Sequence, residues 1–303
     1  MMLRLTAALL AASLLASPAT AQVDIPFAPM QDAAIKDPDN PTKTFRIDFA
    51  RVEAEFPLSR ADLMKLTPDL IATLEQEKVD QIYARLTAGP VPDGAYLGDF
   101  FFARGDNKDA RIEEIIGGLR GRLAGTAVSF LELIGNDLWR GKMFYRDQRI
   151  ARTMVRDRAA LREFVGDPAT IMATTVPDET WLSRLFPNRA WLLFPAKVHC
   201  GQSLLDGRRE SIVIDHNYND EVEGYRASPD SLAGRGGLRI RDEIRMIRPG
   251  FYLGRAYANR MFLANFTLYN PAVADPQEDA FRSGAPMPEN CWPGEQVRKS
   301  VTR

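Results

Sequence analysis

RDEIRMIRPGFYLGRAYANRMFLANFTLYN, residues 241–270, holds three strand-like runs separated by two tight-turn signals. Pro249-Gly250 suits the centre of a type II turn, where proline presets φ and glycine accepts the positive φ that other residues resist. Asn259 marks the second turn. Three runs joined this tightly read as antiparallel neighbours, the closing wall of a β-barrel.

Strand texture extends upstream of this wall. Residues 138–145 (LWRGKMFY) and 149–155 (RIARTMV) are separated by a hairpin-length gap, and 191–200 (WLLFPAKVHC) forms another run. Ser203-Leu204-Leu205 and residues 210–215 (ESIVID) flank Asp206-Gly207, a favoured type I′ turn pair. Residues 91–104, aromatic and punctuated by glycine, read as one more strand, whereas 158–190 read as loop and short helix. The count is about seven or eight strands. Their tight turns favour a closed antiparallel barrel over a parallel α/β sheet, which needs a helix between successive strands.

Helical signals precede the barrel. Ser59 can cap a helix over 60–65, and Thr67-Pro68 gives a cap followed by proline at the first helical position. Ile71, Leu74, Val79, Ile82 and Leu86 then recur at helical spacing until Gly89-Pro90, predicting one helix over that stretch. A second apolar stripe, from Ile112 to Ile134, predicts a helix over about 108–134. The fold class expected is α+β, with N-terminal helices packed on a lipocalin-like barrel. The divisions are a signal peptide (1–21), an extended leader (22–50), a helical region (51–135), the barrel (136–270) and a C-terminal tail (271–303) that wraps it.

At the N-terminus, Arg4 precedes an apolar run that ends in Ala19-Thr20-Ala21, the small-x-small pattern of a cleaved signal peptide. That run is shorter than the ~20 residues a spanning helix needs, so a periplasmic or secreted protein is expected, cleaved near Ala21. The 39 Lys+Arg against 40 Asp+Glu argue against a nucleic-acid binder. The two cysteines, Cys200 and Cys291, are expected to pair in an oxidising compartment, since neither lies in a CxxC. No metal site or cofactor is expected, and GxSxG, HExxH and P-loop motifs are missing from the sequence.

Several pieces of the chain resemble the pattern of GXWXG-domain proteins, small bacterial proteins of unassigned function thought to form lipocalin-like barrels. They are Gly94-Ala95-Tyr96-Leu97-Gly98, the Trp139-Arg140-Gly141-Lys142 strand, the SIVID strand, and Arg241-Asp242-Glu243 with Tyr252-Leu253-Gly254. Tyr96 stands where that pattern has tryptophan, and the loop over 216–238 is longer. The resemblance implies a barrel and no reaction.

Strand parity selects the candidate site residues. Asp242 shares a face with Ile244 and Met246, which makes it an inward carboxylate, while Arg241, Glu243 and Arg245 share the other face. Asp215 shares a face with Val213, so a second acid on the apolar side is expected, with strand-end bonding to the loop as the plainer reading of both aspartates. Arg239, Arg241, Arg245 and Arg248 are expected to form a solvated basic face, with contact to an anionic head group at Arg245 as the functional alternative. Trp139, Tyr252, Tyr257 and Phe262 are candidates for lining the interior. His199 and His216 are expected at the surface or in loops. These features suggest a hydrophobic or lipid-like small molecule bound in the barrel. An envelope enzyme using Asp242 or Asp215 as acid/base in the same cavity is the second reading, and a filled barrel whose helices bind an envelope protein partner is the third.

Overall fold

The computed structural model describes residues 24–29, 36–37, 40–44, 47–102, 138–156, 171–176 and 188–294. The expected signal peptide (1–21), the expected helix over 108–134 and the last residues, 295–303, lie outside them. Within the leader, β1 (Lys36–Asp37) and β2 (Asn40–Thr44) pair only with each other.

The chain is an α+β protein built on a closed, lipocalin-like antiparallel barrel. Its eight strands are β3 (Gly94–Phe101), β4 (Trp139–Tyr145), β5 (Ile150–Arg156), β7 (Asn188–Gln202), β8 (Glu210–Asp215), β9 (Ile240–Arg248), β10 (Phe251–Ala258) and β11 (Met261–Tyr269). A short strand, β6 (Ala173–Val176), adds to the first residues of β7 from outside the ring. Each barrel strand pairs with the next one in sequence, and β11 closes the ring on β3, with Asn265 opposite Phe101.

The opening stretch folds as its turns demand. Gly250 has φ +73°, and a β-carbon there would come within 2.7 Å of Ala274 N and Asn270 O. Asn259, at φ +57°, makes the second turn. Elsewhere the expected boundaries move. The strand expected over 91–104 forms as β3, with Tyr96, Gly98 and Phe100 on its inward face, so the barrel begins at Gly94 and not at 136, inside the division assigned to the helical region. Residues 158–190, expected as loop and helix, contain β6 and the start of β7. The type I′ turn at Asp206-Gly207 does not form, since Gly207 is not in the left-handed region. Residues 203–209 make a longer connection instead, held where the Leu204 amide donates to Glu243 Oε1 at 3.0 Å.

Four helices precede the barrel, α1 (Phe49–Glu55), α2 (Arg60–Lys65), α3 (Pro68–Ala72) and α4 (Gln76–Arg85). Of these, α2–α4 lie on the outer face of β9 and β10, and α1 packs on α4. Ser59 and Asp62 form a capping box on α2, and Thr67 caps α3 with Pro68 at its first position. The single helix expected from Pro68 to Gly89 is broken at Thr73, whose hydroxyl donates to the Leu70 carbonyl at 2.7 Å and competes with helix propagation. The break lets Ile71 on α3 and Val79 and Ile82 on α4 all bury against Ile247, Phe251 and Leu253. Fully burying each such side chain contributes about 1.5–3 kcal/mol. Residues 24–29 also dock here, with Ile25 in the same cluster and the Ala28 amide donating to Gln81 Oε1 at 3.0 Å.

The tail runs back across the barrel end where β4 finishes. Cys291 is disulfide-bonded to Cys200 on β7, across a sequence separation of 91 residues. Around the bond, the Val91 amide donates to Asn290 Oδ1 at 2.7 Å and the Glu210 amide to the Trp292 carbonyl at 3.0 Å. Closing so long a loop stabilises the fold by about 4–5 kcal/mol at most. The variant carrying Cys200→Ser and Cys291→Ser is therefore expected to unfold at lower urea, with a loss approaching that figure. An unchanged urea midpoint would show that the tail's hydrogen bonds suffice without the crosslink.

Candidate functional site

Two β-bulges bring the site together. In a regular strand Trp139 and Lys142 would face opposite sides, but the pairing of β4 with β5 shifts between Trp139 and Gly141, and both side chains point inward. Gly141 makes the shift possible. It has φ +117°, and a β-carbon on it would lie 2.0 Å from the Tyr96 carbonyl oxygen. The second bulge is in β7, where Phe194 takes φ +48° and the register against β5 slips. The freed Phe194 amide donates to Asp230 Oδ1 at 2.6 Å, and the Pro195 carbonyl turns towards His216.

Lys142 and Asp242 meet inside the barrel. Their strands, β4 and β9, lie four steps apart in either direction around the ring, so the pair crosses the full interior. Lys142 Nζ is 2.9 Å from Asp242 Oδ2, and each side chain is 4 % exposed. The ammonium also donates to Thr153 Oγ1 on β5 at 3.0 Å and contacts His216 Nε2 at 3.0 Å. Those three contacts use all three donors of a lysine. His216 Nδ1 lies 3.1 Å from the Pro195 carbonyl, which only an N–H can satisfy. Nδ1 therefore carries the proton, and the Nε2 lone pair accepts from Lys142.

The electrostatics follow from burial and this one cation. Burial, the largest single influence, would raise the Asp242 carboxyl, but Lys142 and His216 together outweigh it and hold Asp242 below its ordinary value. Burial pushes the His216 imidazole down, and Lys142 beside it pushes further. The constellation thus contains one cation, one anion and one neutral imidazole. His216 Nε2 is 3.7 Å from Asp242 Oδ2, too far for a hydrogen bond but close enough to pass a proton after a small movement.

Among the described residues, the rest of the interior is mainly aromatic and aliphatic. Near the floor, Tyr96 packs edge-on against Phe144 and Tyr252 at 5.7 Å each, and the Tyr252 hydroxyl donates to the Pro90 carbonyl at 2.7 Å. Towards the other end, Phe100, Trp139 and Phe266 form a second aromatic group, with the Trp139 ring lying over Gly98. The floor is dry, with Ile212, Ile244 and Leu268 at 0 % exposure. Among the described residues, the interior cluster reaches partial exposure along β4, β3 and β11, where Trp139 is 6 % and Ala264 8 % exposed and Phe100, Leu138 and Met261 are partly exposed. Across that same end, Ala233 and Leu238 of the loop after β8 enter the interior cluster.

Of the residues singled out from sequence, the structure brings Asp242, Trp139 and Tyr252 into the interior. Asp215 is on the outer face, where its carboxylate accepts from the Asn217 amide at 2.9 Å and side-chain amide at 2.8 Å. It shares that face with Val213, which pairs with outward Glu243. Arg245, Tyr257 and Phe262 are also outside the barrel. Arg245 is wholly buried beneath the helices, its guanidinium donating to Ser211 Oγ at 3.0 Å and to the carbonyls of Tyr83, Asp206 and Arg209. Tyr257 accepts from Arg255, whose guanidinium lies over the Phe262 ring and pairs with Asp80. Of the basic strand face expected in solvent, Arg245 is covered, because α4 and residues 203–209 pack on it, Arg241 and Arg248 are half-buried, and Arg239 is exposed as expected. His199 is exposed, as expected, but His216 is 2 % exposed, because the inward parity of Ile212 and Ile214 carries on to it as the chain turns.

Lys142, Thr153 and His216 escaped the sequence reading. The signal for Lys142 was Gly141, since a glycine inside a strand marks a bulge that resets parity. Among the described residues, the group with metal-ligand spacing is Cys200, Glu210 and Cys291, and the disulfide consumes both of its thiols. No helix among the described residues is long and apolar enough to cross a membrane. No family model, no curated protein and no solved structure matches this chain.

Replacing Lys142 with methionine strands the Asp242 carboxylate, and loss of one partner of a buried pair costs about 3–5 kcal/mol. Chemical denaturation is expected to show that loss, with Lys142→Met/Asp242→Leu recovering much of it. The pH dependence has a definite sign. His216 takes a proton in the unfolded chain near its ordinary value of 6.5 and resists it when folded. Its contribution is whole above that value and shrinks as pH falls below it, by at most about 1.4 kcal/mol per unit. Asp242 loses its own contribution only below the carboxylate range. Between pH 7 and 5, His216→Asn is therefore expected to flatten the stability slope, whereas the same change at His199 leaves most of it.

Proposed function

We propose that this chain is a binding barrel for a hydrophobic, lipid-like small molecule and acts in the periplasm or outside the cell. The observation that carries the reading is the polar constellation Lys142–Asp242–His216, set, among the described residues, into an otherwise aromatic and aliphatic interior beside a partly exposed sector. Ligand sites in proteins combine mostly apolar walls with a few convergent polar groups, and this arrangement has both. The apolar body would lie along Phe100, Trp139 and Met261, and the polar head would reach Lys142. The expected export signal, the disulfide and the resemblance to GXWXG-domain proteins support the setting and supply no ligand.

A second reading has an observation of its own. The dry floor around Ile212, Ile244 and Leu268 belongs to a filled barrel, which would make the domain a scaffold for an envelope protein partner. Native mass spectrometry of protein purified from its own compartment separates the two. The binding reading expects a stoichiometric adduct of lipid-like mass, lost or reduced in Lys142→Met. Protein that stays bare and also fails to take up an added long-chain alcohol would give the scaffold reading the advantage.

A further inference from the structure

We infer that the polar constellation takes the head group of a monocarboxylic acid in its neutral, protonated form, so that binding carries one proton into the barrel. The inference rests on the reading of the accessible sector as a site for a hydrophobic ligand and names the chemistry of that ligand's head.

Charge balance supplies the first step. The groups facing the site are Lys142 from β4, Asp242 from β9, Thr153 from β5, and His216, whose Nδ1 is tied to the Pro195 carbonyl of β7. One ammonium and one carboxylate sum to zero. Both are nearly fully buried, so a bare carboxylate entering beside them would be an uncompensated charge in a low-dielectric space. An ammonium head would be equally uncompensated. Only a head that arrives neutral, or brings its counter-charge as a proton, keeps the balance.

Donors and acceptors supply the second. Trp191 is fully buried in the interior cluster, and its indole Nε1–H has no acceptor among the described residues. Register places it close to the ion pair. Trp191 is opposite Val155 on β5, and Val155 is one inward position beyond Thr153, which bonds Lys142. A buried donor left unmade is costly, and native interiors seldom keep one without a purpose. On the acceptor side, the His216 Nε2 lone pair is taken by Lys142, whereas the Asp242 carboxylate keeps lone pairs beyond the one that meets the ammonium. A carboxylic acid offers a carbonyl oxygen to the indole and a hydroxyl proton to the Asp242 carboxylate, the two groups with hydrogen-bonding capacity left once Lys142 has used its three donors. An ester or ketone would satisfy only the donors, and an alcohol carries no second oxygen. Whether the incoming proton rests on the ligand, on His216 or on Asp242, the total is the same: one carboxylate and one proton taken from solution.

Titration calorimetry with dodecanoate below its micelle concentration tests this, run at pH 7.5 in phosphate and again in Tris. The two buffers differ in ionisation heat, so the difference in apparent enthalpy counts the protons taken up. The wild-type protein is expected to take up about one proton per dodecanoate, with affinity falling about tenfold between pH 7 and pH 8. Asp242→Asn removes the resident anion, so the same ligand is expected to enter as the carboxylate with no proton and little change over that pH range. Trp191→Phe is expected to weaken dodecanoate about tenfold while the proton count stays at one. Dodecanol, run beside it, reports the apolar site alone. Dodecanoate bound with no proton uptake, or dodecanol bound and dodecanoate refused, overturns the inference and leaves the barrel reading standing. Refusal of both overturns the barrel reading and the inference with it. The wild-type proton count does not depend on any variant folding.

Discussion

The contact between Lys142 and Asp242 ties together opposite walls of the barrel. A hydrophobic interior is tolerant of small slips in strand register, because one aliphatic side chain substitutes well for another. A charge pair is not, since a slip of one residue on β4 or β9 would send one partner outward and leave the other buried alone. The pair therefore contributes less as net stabilisation, where desolvation offsets most of its attraction, than as a penalty on misregistered barrels. Its third and fourth members extend the constraint. Thr153 brings in β5, and His216 brings in β7 through the Pro195 carbonyl, so four of the eight strands are tied to one ammonium.

A different polar layer holds the helices to the outside. Glu243, Arg245 and Arg255 point outward from β9 and β10, each with partners from the covering segments: the Leu204 amide, backbone carbonyls from α4 and residues 203–209, and Asp80. Directional bonds of this kind fix where α4 sits far more narrowly than the apolar contacts around Val79 and Ile82 would. One strand, β9, thus carries a charged residue of functional interest on its inner face at Asp242 and structural charges on its outer face at Glu243 and Arg245. The alternation of the strand keeps the two networks apart although they are neighbours in sequence.

Much of this was legible in the residues. Turn chemistry at Pro249-Gly250 and Asn259 fixed the last three strands, capping signals at Ser59 and Thr67 placed two helices, and parity put Asp242 inside. What failed were readings that depend on a partner. Arg245 looks like a solvated cation until α4 is known to lie over it, and Asp206-Gly207 looks like a tight turn until Glu243 claims the Leu204 amide. Lys142 was hidden by a bulge, which breaks the two-residue rule that parity relies on. His216 was hidden because it follows a strand and looks like a loop residue, although its side chain continues the inward series of Ile212 and Ile214.

Ring closure between β3 and β11 has a consequence for how the chain reaches this state. One edge of the first barrel strand pairs with β4, but the other finds its partner only in the last strand, so β3 waits with an unpaired edge through nearly all of synthesis. Its sequence there, Tyr96-Leu97-Gly98-Asp99-Phe100-Phe101, is aromatic and apolar, the kind of edge that recruits other chains. Long-range pairing of this sort slows folding and prolongs exposure to aggregation. Asp99, directly opposite Thr267 in the finished barrel, places a charge in the middle of that waiting edge. A charge on an open strand edge disfavours pairing with other chains, and that effect matters only until the ring is complete.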